Sequence, residues 1–181
     1  MFEPARDMLA FLKATIEMND DLDVKLFPFA LGRIEQTLTL SVPDHNAGRA
    51  SLVPNTIEVA KENYDVDVKR LADVLRGENI TSIDFLKVDV EGFESEVFAG
   101  LFDDPGAPRP RLILFEENRP EQSGLFDDLH HEGYAIFGLP RRFVRTVLVP
   151  EGHPDFLSCH DYIAAHSTAE LGRLAALGIH R

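Results

Sequence analysis

The sequence predicts an α/β fold, a mostly parallel sheet with helices on both faces that finishes in antiparallel strands. Three observations predict it. Short apolar runs alternate with helical patterns, as a layered sheet with crossover helices requires. Two runs, Ile83 to Val90 and Leu112 to Phe115, are close to continuously apolar, the composition of strands covered above and below. Past Gly133 the pattern changes to short strands joined by Gly and Pro turns.

The elements follow in order. Pro4 stands where a first helical position would be, and Met8, Leu9, Phe11, Leu12 and Ile16 recur at helical spacing behind it. Asn19-Asp20-Asp21 stops that helix. Val24 to Leu31 is expected as a strand, Gly32 turns the chain, and Thr37 to Val42 alternates as its hairpin partner. Pro43 to Asn63 has the Gly, Asn, Ser and Pro content of a loop. Tyr64 to Val68 alternates again and leads into a short helix over Leu71 to Leu75. The strand Ile83 to Val90 ends at Gly92, and Phe93 to Leu101 is helical. A linker with Pro105, Pro108 and Pro110 leads to the strand Leu112 to Phe115, and a helix through Leu125 and Leu129 closes at Gly133. Tyr134 to Leu139, Thr146 to Val149 and Tyr162 to Ala165 are the final strands, followed by a helix over Thr168 to Leu177.

At 181 residues the natural expectation is one domain over 1–181. A chain of this length buries enough surface to need no disulfide, and its single cysteine, Cys159, allows no internal one. That fits a reducing, cytoplasmic compartment. No apolar run approaches the ~20 residues that span a bilayer, so no membrane partner is expected. The formal charge of −13 repels phosphate backbones, and Arg141, Arg142 and Arg145 are too small a cluster to reverse it. No nucleic-acid partner is expected.

The segment Ile83-Asp84-Phe85-Leu86-Lys87-Val88-Asp89-Val90-Glu91-Gly92 carries the clearest chemical signal. Lys87, Asp89 and Glu91 are spaced two apart, so a strand would point all three to one face. Charges on a buried face need partners or a ligand. In open α/β sheets the ligand crevice lies beyond the carboxyl ends of the strands, where Asp89 and Glu91 would sit. Leu112 to Phe115 likewise ends in Glu116-Glu117-Asn118. Two neighbouring strands ending in carboxylates would converge on one site. Such a site could accept hydrogen bonds from a substrate or hold a hard cation, but the spacing does not select a metal and none is predicted. Glu3, just before a helix, could accept the two hydroxyls of a ribose or simply cap that helix.

These pieces occur in an order that resembles FkbM-type methyltransferases. The resemblance runs over residues 1 to 165 or so. It is carried by Phe2-Glu3-Pro4, the segment Val24 to Leu31, Ala47-Gly48-Arg49-Ala50-Ser51-Leu52 and the Leu86-Lys87-Val88-Asp89-Val90-Glu91-Gly92 block. The helix Glu94-Ser95-Glu96-Val97-Phe98-Ala99-Gly100 and the strand end Leu114-Phe115-Glu116 complete it. Lys-x-Asp-x-Glu-Gly is the specific element; the rest is supportive. The resemblance implies a Rossmann-like class I methyltransferase fold, S-adenosylmethionine as methyl donor and a hydroxyl on a small molecule or sugar as acceptor. It implies Glu3 at the ribose, Ala30 and Leu31 near the adenine, Asp89 beside the methionine part or the acceptor, and Glu91 and Glu116 on the acceptor side. A position the family commonly fills with Asp is Ala72 here.

Such folds open with a strand and a Gly-rich turn, whereas this sequence has no Gly-x-Gly and its first glycine is Gly32. The resemblance therefore implies a sheet lacking its first strand and Gly-rich loop, with open edges that favour self-association. A remnant domain that only binds a partner is the rival expectation, and a metal-dependent hydrolase a third. A hydroxyl acceptor needs a base near neutral pH. His45, His130, His131, His153 and His160 are the candidates weighed, none linked by spacing to Asp89; His160, two residues before Tyr162, is marginally preferred.

Overall fold

A computed structural model describes the chain except for residues 45–46, 55–56, 58–59, 121, 123, 141–146, 168 and 173–181. His45, Arg141, Arg142, Arg145, Thr146, Thr168 and Leu177 therefore lie outside the described residues. The architecture is α/β with two mixed sheets, and the chain forms two compact units, Met1–Val74 with Val90–Asp104 and Leu75–Asp89 with Pro105–Arg181.

In the first unit helix α1 covers Arg6–Glu17, two positions later than Pro4 suggested, with Ala5 as N-cap. Its apolar stripe is only half-buried, and Phe11 remains 68% exposed. The strand expected over Val24 to Leu31 is shorter. Only β1, Ala30–Leu31, is regular, preceded by a single parallel bridge between Phe2 and Phe27. Pro28 accounts for part of this, since it has no N–H to give a ladder. Strand β2, Gln36–Pro43, pairs not with β1 but antiparallel with β3, Ala60–Lys69, from Gln36 opposite Val68 to Pro43 opposite Ala60. Alternation marks which face is buried and leaves the partner open, so the hairpin assignment is corrected. The expected loop is shorter too, because β3 already begins at Ala60. The sheet order is β1-β3-β2, with β1 parallel to β3.

Inward-facing Leu40, Val42 and Val66 bury Ala5, with Met8, Leu52 and Tyr64 packed around them. Helix α2, Leu71–Gly77, follows β3, and helix α3, Glu94–Phe102, buries Val97, Phe98 and Leu101. Gly100 sets how close α3 comes to the chain after β1. A Cβ at that position would lie 2.1 Å from the Gly32 carbonyl oxygen, and one at Gly32 would lie 2.7 Å from Val68 Cγ1. The contact exists because neither residue has a side chain.

In the second unit the sheet order is β4-β5-β8-β6-β7. These strands are β4 Phe85–Val88, β5 Leu112–Glu116, β6 Ala135–Leu139, β7 Val149–Pro150 and β8 Asp161–Ala165. Strands β4 and β5 run parallel, and β8, β6 and β7 are antiparallel to their neighbours, as the change of pattern beyond Gly133 predicted. On one face Ile113 and Phe115 lie buried in the core. Phe115 stacks on Tyr162 at 5.7 Å between centroids, and Phe126 and Phe156 close around the same ring. The Tyr162 hydroxyl lies 3.0 Å from the Phe156 carbonyl and 2.9 Å from that of Cys159, which satisfies it inside the core. On the other face Leu112 and Leu114 pack against Leu148, Ile163, Ala165 and Leu171. Helix α4, Leu125–His131, covers the aromatic face and stops at Gly133, whose φ of 86° few other residues tolerate.

Strand β5 is thus covered on both faces, as expected. Strand β4 is not. It is the edge of its sheet, Phe85 is 54% exposed, and only Val88 is buried. Among the described residues no helix is long and apolar enough to cross a membrane.

Gly100→Ala is expected to destabilise the protein by about 3 kcal/mol, at the upper end of overpacking costs, because its methyl meets backbone rather than a movable side chain. Urea unfolding would read this as a lowered midpoint at unchanged slope.

Candidate active site

The second unit brings Asp89 and Glu116 to one edge of its sheet. Strands β4 and β5 are parallel with Val88 opposite Phe115, so the next residue on each, Asp89 and Glu116, follows at the same, carboxyl-terminal edge. Asp89 accepts a 2.6 Å hydrogen bond from Lys87 Nζ, two residues back on the same face as period two predicted. Both side chains are about half exposed, at 56% and 44%, so the expected cost of burying charge does not arise and the pair itself adds little stability.

Glu116 is half-buried and accepts from Asn118 Nδ2 at 3.1 Å. Asn118 Oδ1 lies 2.9 Å from His160 Nδ1. The Glu117 N–H donates to the His160 carbonyl at 2.9 Å, extending the β5–β8 pairing by one step. Glu117 itself accepts from the Arg119 N–H at 2.6 Å. An open depression of about 260 Å³ lies beside this chain, lined by Asn118, Arg119, Pro120, Gln122 and Leu157.

Glu91 belongs to the other unit and is not positioned by β-alternation. β4 ends at Val88, and Glu91 and Gly92 adopt left-handed backbone with φ of 51° and 93°. A left-handed residue interrupts the period-two pattern, so the shared face expected for Lys87, Asp89 and Glu91 extends only to Asp89. Two side chains hold this turn. Glu94, 8% exposed at the start of α3, accepts from the Val90 and Gly92 N–H groups at 3.3 Å each. Ser51, 1% exposed, donates through Oγ to the Glu91 carbonyl at 3.0 Å and accepts from the Val53 N–H at 3.1 Å. Ser51 is itself bridged to Ser41 by two backbone hydrogen bonds of 3.0 Å. Neither role was foreseen from the sequence. Glu94 could have been found as an acid in a helix first turn behind a glycine; the pairing of Ser51 with Glu91 has no local signal.

Glu3, also in the first unit, follows the Phe2–Phe27 bridge and precedes α1. One carboxylate oxygen accepts from the Ala5 N–H at 2.7 Å, and the other has no partner among the described residues. Burial raises its pKa above the ordinary carboxylate value, an effect the Ala5 hydrogen bond opposes. Ala30 is buried and Leu31 half-buried in β1. Ala72, where the family commonly has Asp, is buried in α2, an apolar position. Among the described histidines, His160 is the one tied to the sheet edge that carries Asp89 and Glu116. His130 instead faces Glu151 at 3.1 Å, and His153 Nδ1 accepts from the Asp155 N–H.

The sequence matches the methyltransferase FkbM domain over residues 2–136. It is 31% identical over 121 residues to "Methyltransferase 1" of Beauveria bassiana (strain ARSEF 2860), an alignment covering 57% of this chain and 48% of that protein. It is 34% identical over 128 residues to "Methyltransferase sdnD" of Sordaria araneosa, covering 55% of this chain and 49% of that protein. The chain spans about half the length of these relatives. No solved structure gives a significant match. The family match covers most of the chain, including the Lys87 to Gly92 block and the end of β5, and on it the chain belongs to the FkbM methyltransferase family.

Proposed function

We propose that the protein transfers a methyl group from S-adenosylmethionine to a hydroxyl of a small molecule or sugar, on a Rossmann-like class I methyltransferase fold. The observation that carries this is the parallel register of β4 and β5, which sets Asp89 and Glu116 at one carboxyl-terminal sheet edge in a chain of this family. A sheet that opens with a parallel pair and finishes with antiparallel strands supports the fold assignment.

The residues fit the cofactor on chemical grounds. Glu3 has one carboxylate oxygen held by the Ala5 N–H and the other without a partner, so it can accept from a ribose hydroxyl without losing its own anchor. Ala30 and Leu31 would lie near the adenine, with the Leu31 side chain and the β1 backbone as the available surface. When bound, S-adenosylmethionine supplies an electrophilic methyl carbon. Catalysis then consists of holding the acceptor oxygen in line and managing its proton. Asp89, taken by the Lys87 ammonium at one oxygen, can accept with the other from a polar group of the acceptor beside the reacting hydroxyl and so orient it. Glu116, at the same sheet edge, is assigned to the acceptor side as well.

Asp89→Ala is expected to lower turnover about 100-fold or more through lost orientation, while stability stays within about 0.5 kcal/mol because only an exposed pair is removed. Transfer of labelled methyl from S-adenosylmethionine, beside a melting curve, checks both; undiminished transfer would remove Asp89 from the site.

Glu3 makes a pH-dependent prediction. Its raised pKa means that, between the ordinary value and the raised one, the folded state binds more protons than the unfolded state. Stability therefore falls as pH rises through that window. Glu3→Gln should flatten this part of the stability profile and be no less stable at pH 7, yet bind S-adenosylmethionine about tenfold more weakly for loss of a charged acceptor. Denaturant titrations across pH and calorimetry with S-adenosylmethionine test the two halves separately.

Glu91→Gly relieves a left-handed backbone that costs roughly 1–2 kcal/mol for a residue with Cβ, offset by glycine's greater unfolded-state freedom. The expected outcome is a melting temperature close to the parent's, the relieved backbone offsetting the contacts the side chain gives up, with reduced methyl transfer. A large drop in melting temperature would show that the side chain is there for the fold.

A further inference from the structure

We propose that His160 takes the proton from the acceptor hydroxyl, held in the required tautomer by Asn118 and, through it, by Glu116. The inference rests on the methyl-transfer reading and adds to it the destination of the proton.

The tautomer follows from donor and acceptor chemistry. An ionised carboxylate can only accept, so the Asn118 amide nitrogen must be the group that faces Glu116 Oε1 at 3.1 Å. That fixes the amide's rotation and turns Oδ1 toward His160 Nδ1, 2.9 Å away. An amide oxygen also only accepts, so Nδ1 carries the hydrogen. In a neutral ring the lone pair is then on Nε2, which has no hydrogen-bond partner among the described residues of this exposed side chain. This is the logic by which a third group orients a catalytic base, with an amide and a carboxylate acting in sequence.

Placement supports the same role. Asp161 pairs with Glu116 across β5 and β8, and Glu117 is bonded to the His160 carbonyl, so His160 stands just past the strand end. Asp89 stands past the end of β4, beside Glu116. Asp89, Glu116 and His160 therefore mark one edge of three neighbouring strands, and Asn118 also lines the adjacent depression.

In the step itself the hydroxyl oxygen bonds to the methyl carbon while the carbon–sulfur bond breaks and its electron pair remains on sulfur. The hydroxyl proton moves to His160 Nε2. The resulting imidazolium keeps its Nδ1–H bond to Asn118, and water then removes the proton.

Long-range proton–nitrogen NMR of the histidine rings reads the tautomer directly. The wild-type protein should show His160 protonated at Nδ1, against the Nε2–H preference of free imidazole. Asn118→Leu should return it to Nε2–H. A wild-type His160 already in the Nε2–H form would overturn the proposal. Its chemical half is read with labelled S-adenosylmethionine and a small-molecule extract of the source cells. His160→Gln should transfer methyl at least about 100-fold more slowly, with calorimetric affinity for S-adenosylmethionine unchanged and with partial rescue by added imidazole. Full transfer by His160→Gln would overturn the base assignment and leave the methyltransferase reading standing. A wild-type protein that neither binds S-adenosylmethionine nor transfers label would overturn both.

Discussion

Parallel pairing of β4 with β5 is the constraint on which the candidate site depends. Val88 opposite Phe115 fixes which residues come next at the sheet edge, and those are Asp89 and Glu116. A slip of one residue would turn every side chain of β4 to the other face. Val88 would lose its buried place and Lys87 would enter it, so the packing of one apolar side chain enforces the position of two carboxylates. Strand β5 is held more firmly still, with Ile113 and Phe115 buried on one face and Leu112 and Leu114 packed on the other. The candidate site thus lies at the end of the best-covered strand of the unit. The rigid element positions the site, and the exposed edge strand contributes only its terminal residue.

The charged groups at this edge are treated in two ways. Lys87 and Asp89 meet in solvent, where water already satisfies them and the pair costs little to open. Such an acid is free to change partners when a ligand arrives. Glu116, Asn118 and His160, at the same exposed edge, form a sequence of acceptor, amide and imidazole, each orienting the next.

Much of this was legible in the chain. The apolar runs and their acidic ends mark β4, β5 and the two carboxylates, because burial and alternation are local properties of a strand. The change after Gly133 to short strands joined by Gly and Pro turns likewise announces the antiparallel strands. What could not be read is pairing over distance. Nothing near Thr37 says that its partner is Asp67 rather than a residue of Val24 to Leu31. Ser51 and Glu91 are forty residues apart and meet through a hydroxyl and a carbonyl, groups that every sequence carries in number. Asn118 and His160 are separated by forty-two residues, and only the antiparallel return of β8 beside β5 brings them together. Glu91 misled for a different reason. Its spacing from Asp89 is that of a strand, but the glycine after it and the buried Glu94 carboxylate favour a turn, and the turn wins.

The local costs in the structure fall on the same residues. Glu3 keeps a carboxylate in a half-buried position that raises its pKa, and Glu91 keeps a left-handed backbone that the glycine beside it would adopt more easily. An amide at position 3 would still accept from the Ala5 N–H, and a glycine at position 91 would still offer its carbonyl to Ser51. Further buried groups keep the second feature in place, since Ser51 and Glu94 are among the few polar side chains of the described residues that are almost wholly enclosed. Backbone strain persists only where the surroundings over-determine it, and at Glu91 the Ser51 hydroxyl and the Glu94 carboxylate do so from two sides of the turn.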